Sequence, residues 1–167
     1  MGAGSFITFE GIDGVGKTTQ ALLLVDFLRD LGFEVVHTYE PGGTALGQSI
    51  REMLLDPNNH NLAPVTEILL YAADRAQHVD EVVRPALAEG KVVVCERYID
   101  SSVAYQGYGL GLSIDVIMAV NKLATGGLEP NLTVYLDAQP KASLTRVKGD
   151  RIEQRTLEYY EKVRAGF

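Results

Sequence analysis

Near the start of the chain, Gly11-Ile12-Asp13-Gly14-Val15-Gly16-Lys17-Thr18 spaces glycines, a lysine and a threonine as G-x-x-x-x-G-K-[ST]. Glycines let successive backbone N–H groups turn inward on phosphate oxygens, and a helix starting there adds positive potential. Lys17 then reaches the β- and γ-phosphates of a nucleoside triphosphate, while the Thr18 hydroxyl is placed to ligate Mg2+. The flanks fit this chemistry. Phe6–Glu10 reads as a strand, and beyond Lys17 the residues Ala21, Leu24, Val25, Leu28 and Leu31 recur at helical spacing. That context disfavours an ordinary glycine turn with a chance lysine.

Phosphate loops serve several kinds of protein, and other residues sort them. A GTPase needs a guanine-reading N-K-x-D. Asn121-Lys122-Leu123-Ala124 lacks the aspartate and sits in a helical pattern, so it reads as helix surface. A motor or transport ATPase usually shows an aspartate at a strand end. Here the nearest equivalents are Glu96, followed at once by Arg97, and Asp137. An arginine beside the metal-side acid suits a second anionic substrate better than attack by water. Phosphoryl transfer between two phosphorylated molecules follows, with a non-catalytic nucleotide-binding module as the rival.

The elements that must position these groups alternate along the chain. Val35–Tyr39 reads as a second strand and Val92–Cys95 as a strand buried on both faces; Leu132–Leu136 is a further strand ending at Asp137. Between Pro64 and Gly90 the pattern is helical, with Val65, Ile68, Leu69, Ala72, Ala73 and Ala76 forming an apolar stripe expected to pack inward. Glu67, Tyr71, Arg75 and His78 fall on the other, polar face. Ser113 is placed to cap a helix running to Ala124 and closed by Gly126-Gly127, and Pro140 suits a first helical turn. This order predicts a three-layer α/β/α fold with a central parallel sheet. Ligands then bind beyond the carboxyl ends of the strands, where Glu10, Glu40, Glu96 and Asp137 lie.

Composition excludes other classes. The 167 residues suit one domain, and 46% apolar with 22% charged residues is ordinary for a globular chain. Fifteen basic against 22 acidic residues leave a charge of −7, which argues against sequence-independent nucleic-acid binding. No apolar run approaches the roughly 20 residues of a membrane-spanning helix, and the N-terminus lacks a secretory pattern. The lone Cys95 suits a reduced, cytoplasmic setting.

Several stretches resemble the thymidylate kinase family of bacterial type. They are Phe9–Gln20, Glu40-Pro41-Gly42-Gly43-Thr44, Leu69–His78, Arg97–Gly107 and Asp150-Arg151-Ile152-Glu153, in family order over nearly the whole chain. The resemblance implies a P-loop kinase moving the γ-phosphoryl group of ATP to dTMP with Mg2+, as a homodimer. Other nucleoside monophosphate kinases are the nearest alternative. It implies that Gly11 to Thr19, with Ile12, Asp13, Gly14, Val15, Gly16, Lys17 and Thr18, hold ATP, and that Thr18 and Glu96 serve the metal. Arg97 is implied as the arginine holding the dTMP phosphate, with Arg51 a second candidate, and Glu40 is implied among the residues that bind dTMP. Tyr71 and Arg75 match the pair that stacks on thymine and bonds its carbonyl edge; Ser102 and Gln106 match residues on the pyrimidine edge; Tyr105 would exclude ribose. Asp13 is expected near the sugar and phosphate end of dTMP.

Three departures from the family pattern stand out. Glu96 replaces the usual aspartate, and Tyr71 the usual phenylalanine. The lid, at about residues 146–153, is very short, and the family's last helices are expected to be absent from this single domain of residues 1–167. Arg151 is the nearest candidate for a lid arginine over ATP. Asp150 and Glu153 could instead cap the next helix.

Overall fold

Four parallel strands, β1 (Ser5–Glu10), β2 (Val35–Tyr39), β3 (Val92–Glu96) and β4 (Leu132–Tyr135), form one sheet in the order β2-β3-β1-β4. A computed structural model of the chain describes residues 4–147 and 149–167. The helices are α1 (Lys17–Asp30), α2 (Ala45–Leu55), α3 (Pro64–His78), α4 (Arg84–Ala88), α5 (Ile99–Ser102), α6 (Ile114–Thr125), α7 (Pro140–Ser143) and α8 (Leu157–Gly166). Wider π-type turns join α3 to α4 over Val79–Val83 and extend α5 over Val103–Gly109.

Alternation along the strands divides the core. Phe6, Val93 and Cys95 pack on Val79, Val83 and Ala86, whereas Phe9, Val92 and Val94 pack on Ala21 and Val25 of α1. Successive residues point to opposite faces, so β3, buried throughout, is covered on both sides as its apolar run predicted. A third cluster, Ile12, Ala104, Tyr105, Ile152, Tyr159, Tyr160 and Val163, lies beneath the phosphate loop and ties α8 to it. β4 pairs only with β1 among the described residues, and its Leu132 and Tyr135 are exposed.

Register sets up the site. Phe9 pairs with Glu96, and Glu96 with Tyr39. Three strands therefore end level, and Glu10, Glu40 and Arg97 emerge side by side.

The face of α3 is the reverse of the expectation. Val65 and Leu69 are 58% and 53% exposed, while Glu67, Asp74, Arg75 and His78 are buried. Only Ile68 and Ala72 of the apolar stripe reach the interior. The cause is specific: each buried polar group finds a partner on another element, which offsets the cost of its burial.

Asp74 is the incomplete case. Its Oδ1 accepts from Gly42 N–H at 2.9 Å, but Oδ2 is buried without a partner. Burial, and then the charge of Glu40, push its carboxyl up to about 6. A carboxyl raised in the folded state stabilises below its unfolded value near 4 and loses that contribution as pH rises through 6. Asp74→Asn keeps an acceptor for Gly42 and cannot ionise. It is expected to melt higher than the parent at pH 8, by at most about 3 kcal/mol, and to lose that advantage below pH 4; thermal melts across that range check it.

Two helix ends also differ from the sequence reading. α6 begins after Ser113 and stops at Gly126 (φ 57°), but the Ser113 side chain makes no capping bond. Asp150 and Glu153 do form a reciprocal cap: Asp150 Oδ1 accepts from Glu153 N–H, and Glu153 Oε2 from Asp150 N–H. They close an isolated turn, and α8 has its own cap in Thr156.

Candidate active site

The phosphate loop runs from β1 into α1, and Gly16 takes φ 104° where the helix starts. Gly14 is tighter still, since a Cβ there would lie 2.2 Å from the Ser143 carbonyl oxygen. Lys17 Nζ folds back onto its own loop, donating to the Gly11 and Ile12 carbonyls at 2.9 and 2.8 Å. Burial, and then the like charge of Arg97, push its ammonium down to about 7. Two cations held this close are a site arranged for an anion. Ile12 and Val15 turn their side chains into the core beneath, leaving backbone for a ligand.

Beside the loop, the Glu96 carboxylate accepts from Thr18 Oγ1 at 2.6 Å and lies 3.0 Å from His37 Nε2. Hydroxyl and carboxylate oxygens are the hard donors that Mg2+ prefers. Asp137, the other strand-end acid, instead pairs with Arg164 near the surface.

Arg97 has φ 70°, a left-handed conformation costly outside glycine and concentrated at functional sites. The buried Glu10 holds this turn, accepting from Tyr98 N–H at 2.7 Å and Ser101 Oγ at 2.6 Å. The guanidinium is thereby aimed back over the loop, donating to Gly11 O and to Asp13. Asp13 also accepts from the Tyr105 and Tyr160 hydroxyls at 2.8 and 2.9 Å. Burial alone would raise the Asp13 carboxyl, but Arg97, Lys17 and the two phenols hold it below its ordinary value.

A second cavity opens across this wall. Tyr71, Arg75, Ser102, Tyr105 and Gln106 line it, with Leu55, Ile152 and Glu153. Arg75 is 1% exposed: Nε donates to Glu40 at 2.7 Å, one terminal nitrogen to Ser102 and Asn121, and the other to Tyr98 O at 2.8 Å. Glu40 in turn bonds His78 Nδ1 at 2.7 Å, and His78 Nε2 meets Thr38. Burial raises the Tyr71 phenol, which stays protonated.

Asp13, Glu40, Arg51 and Arg97 line both this cavity and the one containing Gly14, Gly16, Lys17, Thr18, Thr19 and Glu96. Arg51 is held there by Pro41 O at 2.8 Å and by the Tyr39 ring beneath it. Arg51 therefore has a place in the shared wall.

Arg151 is the correction. Its guanidinium is buried, donating to Leu54 O at 2.6 Å and Glu67 at 2.8 Å, and it does not line the phosphate-loop cavity. Arg146, exposed, does. Asn121 is the converse: expected on a helix surface, it is fully buried and bonded to Arg75. Sequence reasoning also passed over Glu67, His37 and Tyr160. For Glu67 a signal existed, since 67, 71 and 75 recur at i, i+4, i+8 on one face.

Comparison with known proteins bears on this arrangement. A family model described as thymidylate kinase matches residues 9–167. The chain is 56% identical over 165 residues to the thymidylate kinase of a Synechococcus species, covering 97% of this chain and 78% of that one. It is 50% identical over 169 residues to that of an Exiguobacterium species, covering 99% and 80%. The crystal structure of thymidylate kinase from Ehrlichia chaffeensis superposes with a TM-score of 0.83 at 37% identity, covering 99% of this chain and 85% of that one.

Proposed function

The chain belongs to the thymidylate kinase family and transfers the γ-phosphoryl group of ATP to dTMP, and we propose that it does so across the wall its two cavities share. That wall carries the assignment. One cavity offers a phosphate loop, the other an aromatic ring beside hydrogen-bonding groups, and cations lie between them. Two polyanions meeting there need their charge cancelled, which is most of what catalysis of phosphoryl transfer requires.

In this reading the backbone of Gly11–Thr19 cradles the ATP phosphates. Lys17 leaves the loop carbonyls for the phosphate oxygens, and Arg97 and Arg51 hold the dTMP phosphate. Asp13, gripped by Arg97, Tyr105 and Tyr160, faces the acceptor end. Tyr71 stacks on the base while Arg75 reads its edge. Thr18 and Glu96 would hold Mg2+, whose charge would offset that building on the phosphate oxygens. Arg146 takes the donor-side role first given to Arg151.

We also infer a homodimer, supported by the exposed Val65 and Leu69 of α3 and Val116 and Met118 of α6; sedimentation velocity tests it. A cytoplasmic setting accords with the unpaired Cys95. Among the described residues no helix is long and apolar enough to cross a membrane.

Incubation with Mg-ATP and each of dTMP, dUMP, dCMP, dGMP and AMP tests the site. Turnover should be greatest with dTMP, and AMP or dCMP well above it would overturn the assignment of the base pocket. Arg75→Ala is expected to raise the KM for dTMP by about 100-fold with little change for ATP. It should also cost about 3–5 kcal/mol of stability, because Glu40 is left buried beside His78 alone. Equal increases in both KM values would remove Arg75 from base reading.

A further inference from the structure

Glu67 is fully buried in α3, yet both its oxygens are engaged. Oε1 accepts from Gln106 Nε2 at 2.9 Å, while Oε2 accepts from Arg151 at 2.8 Å and from Arg155 at 2.6 Å. A carboxylate paired with two guanidinium groups only accepts. The Gln106 group facing it must therefore be the NH2, and the carbonyl oxygen is turned away. That oxygen has no partner among the described residues, and Gln106 lines the acceptor cavity.

We propose that Glu67 is a positioning residue that locks Gln106 as a hydrogen-bond acceptor toward the substrate base, and so selects a pyrimidine with a protonated N3 over a cytosine-type base. This rests on the cavity being the dTMP site. Thymine presents O4 as acceptor and N3–H as donor; cytosine presents an amino donor and N3 as acceptor. The Arg75 guanidinium suits O4, and the fixed Gln106 carbonyl suits N3–H. A freely turning amide would serve either base at N3, so the discrimination at that atom lies in the lock. Arg151 lies in the lid region and Arg155 just beyond it, which makes base reading depend on that segment being docked.

Glu67→Gln tests the lock with a signed outcome. The two arginines can only donate, so the oxygen of the new amide must face them and its NH2 must face Gln106. Gln106 then accepts with its own oxygen and turns its NH2 to the cavity. The probe pair is dTMP and 5-methyl-dCMP, which differ only along this edge. The ratio of their kcat/KM values is expected to fall by about 100-fold, through loss for dTMP and gain for the methylcytosine. Arg75 still opposes the amino group, so the ratio need not invert.

A merely structural role would lower both values together, and an unchanged ratio overturns the proposal. Should Glu67→Gln not fold, as judged by its melt, Gln106→Met removes the amide and leaves Glu67 with its arginines. Its ratio should also collapse, and retention of the parent ratio would sink the idea. An unmodified protein releasing no ADP with dTMP would instead overturn the site assignment, and the proposal with it.

Discussion

Lys17→Met is expected to lower kcat by about 1,000-fold or more while leaving the KM for dTMP within about threefold. Methionine nearly matches the lysine in length and lacks its charge, so the change isolates the ammonium. That ammonium bridges two carbonyls of its own loop, a position it can exchange for phosphate oxygens without moving the helix it begins. The loop's backbone donors remain, so ATP should still bind. What is lost is charge cancellation on the group in flight. Steady-state kinetics with both substrates varied separate these terms, and near-normal turnover would remove Lys17 from the phosphoryl path.

Arg97 should matter as much, by a different route. It lies in the wall common to both cavities and grips Asp13, so its loss is expected to reduce kcat/KM for dTMP by about 1,000-fold or more, in the range of arginines that neutralise a transferring phosphoryl group. Its left-handed backbone allows a control that most residues lack. Glycine adopts φ 70° freely, whereas alanine is strained there by about 1–2 kcal/mol. Arg97→Gly and Arg97→Ala should therefore be equally poor catalysts, with the glycine variant melting higher. A large difference in rate between them would show that the turn, not the guanidinium, was being measured.

The phosphate loop was legible because its chemistry is local: spacing of glycines, a lysine, and a strand and helix on either side. Strand runs and the Gly126 helix end were legible for the same reason. The buried polar face of α3 was not. Periodicity assigns apolar residues to the interior, but Glu67, Asp74, Arg75 and His78 have partners on β2 and the turn after it, on α5 and its extension, on α6 and on the segment before α8, which no window of α3 contains. Asn121 escaped for that reason too, its use being decided by an arginine 46 positions away. Arg151 was misplaced because its neighbourhood in sequence pointed at a lid, whereas the buried carboxylate that captures it lies 84 residues earlier. The resemblance named roles for the residues at the shared wall; only the level strand ends show why Glu10, Glu40 and Arg97 can act together.

The close seat of Gly14 has a consequence for altering the molecule. Any side chain there must push the phosphate loop and α7 apart, because a Cβ would meet the Ser143 carbonyl oxygen at 2.2 Å. The loop and α7 are fitted to each other, and a substitution that shifts α7 should weaken ATP binding without touching any residue of the loop.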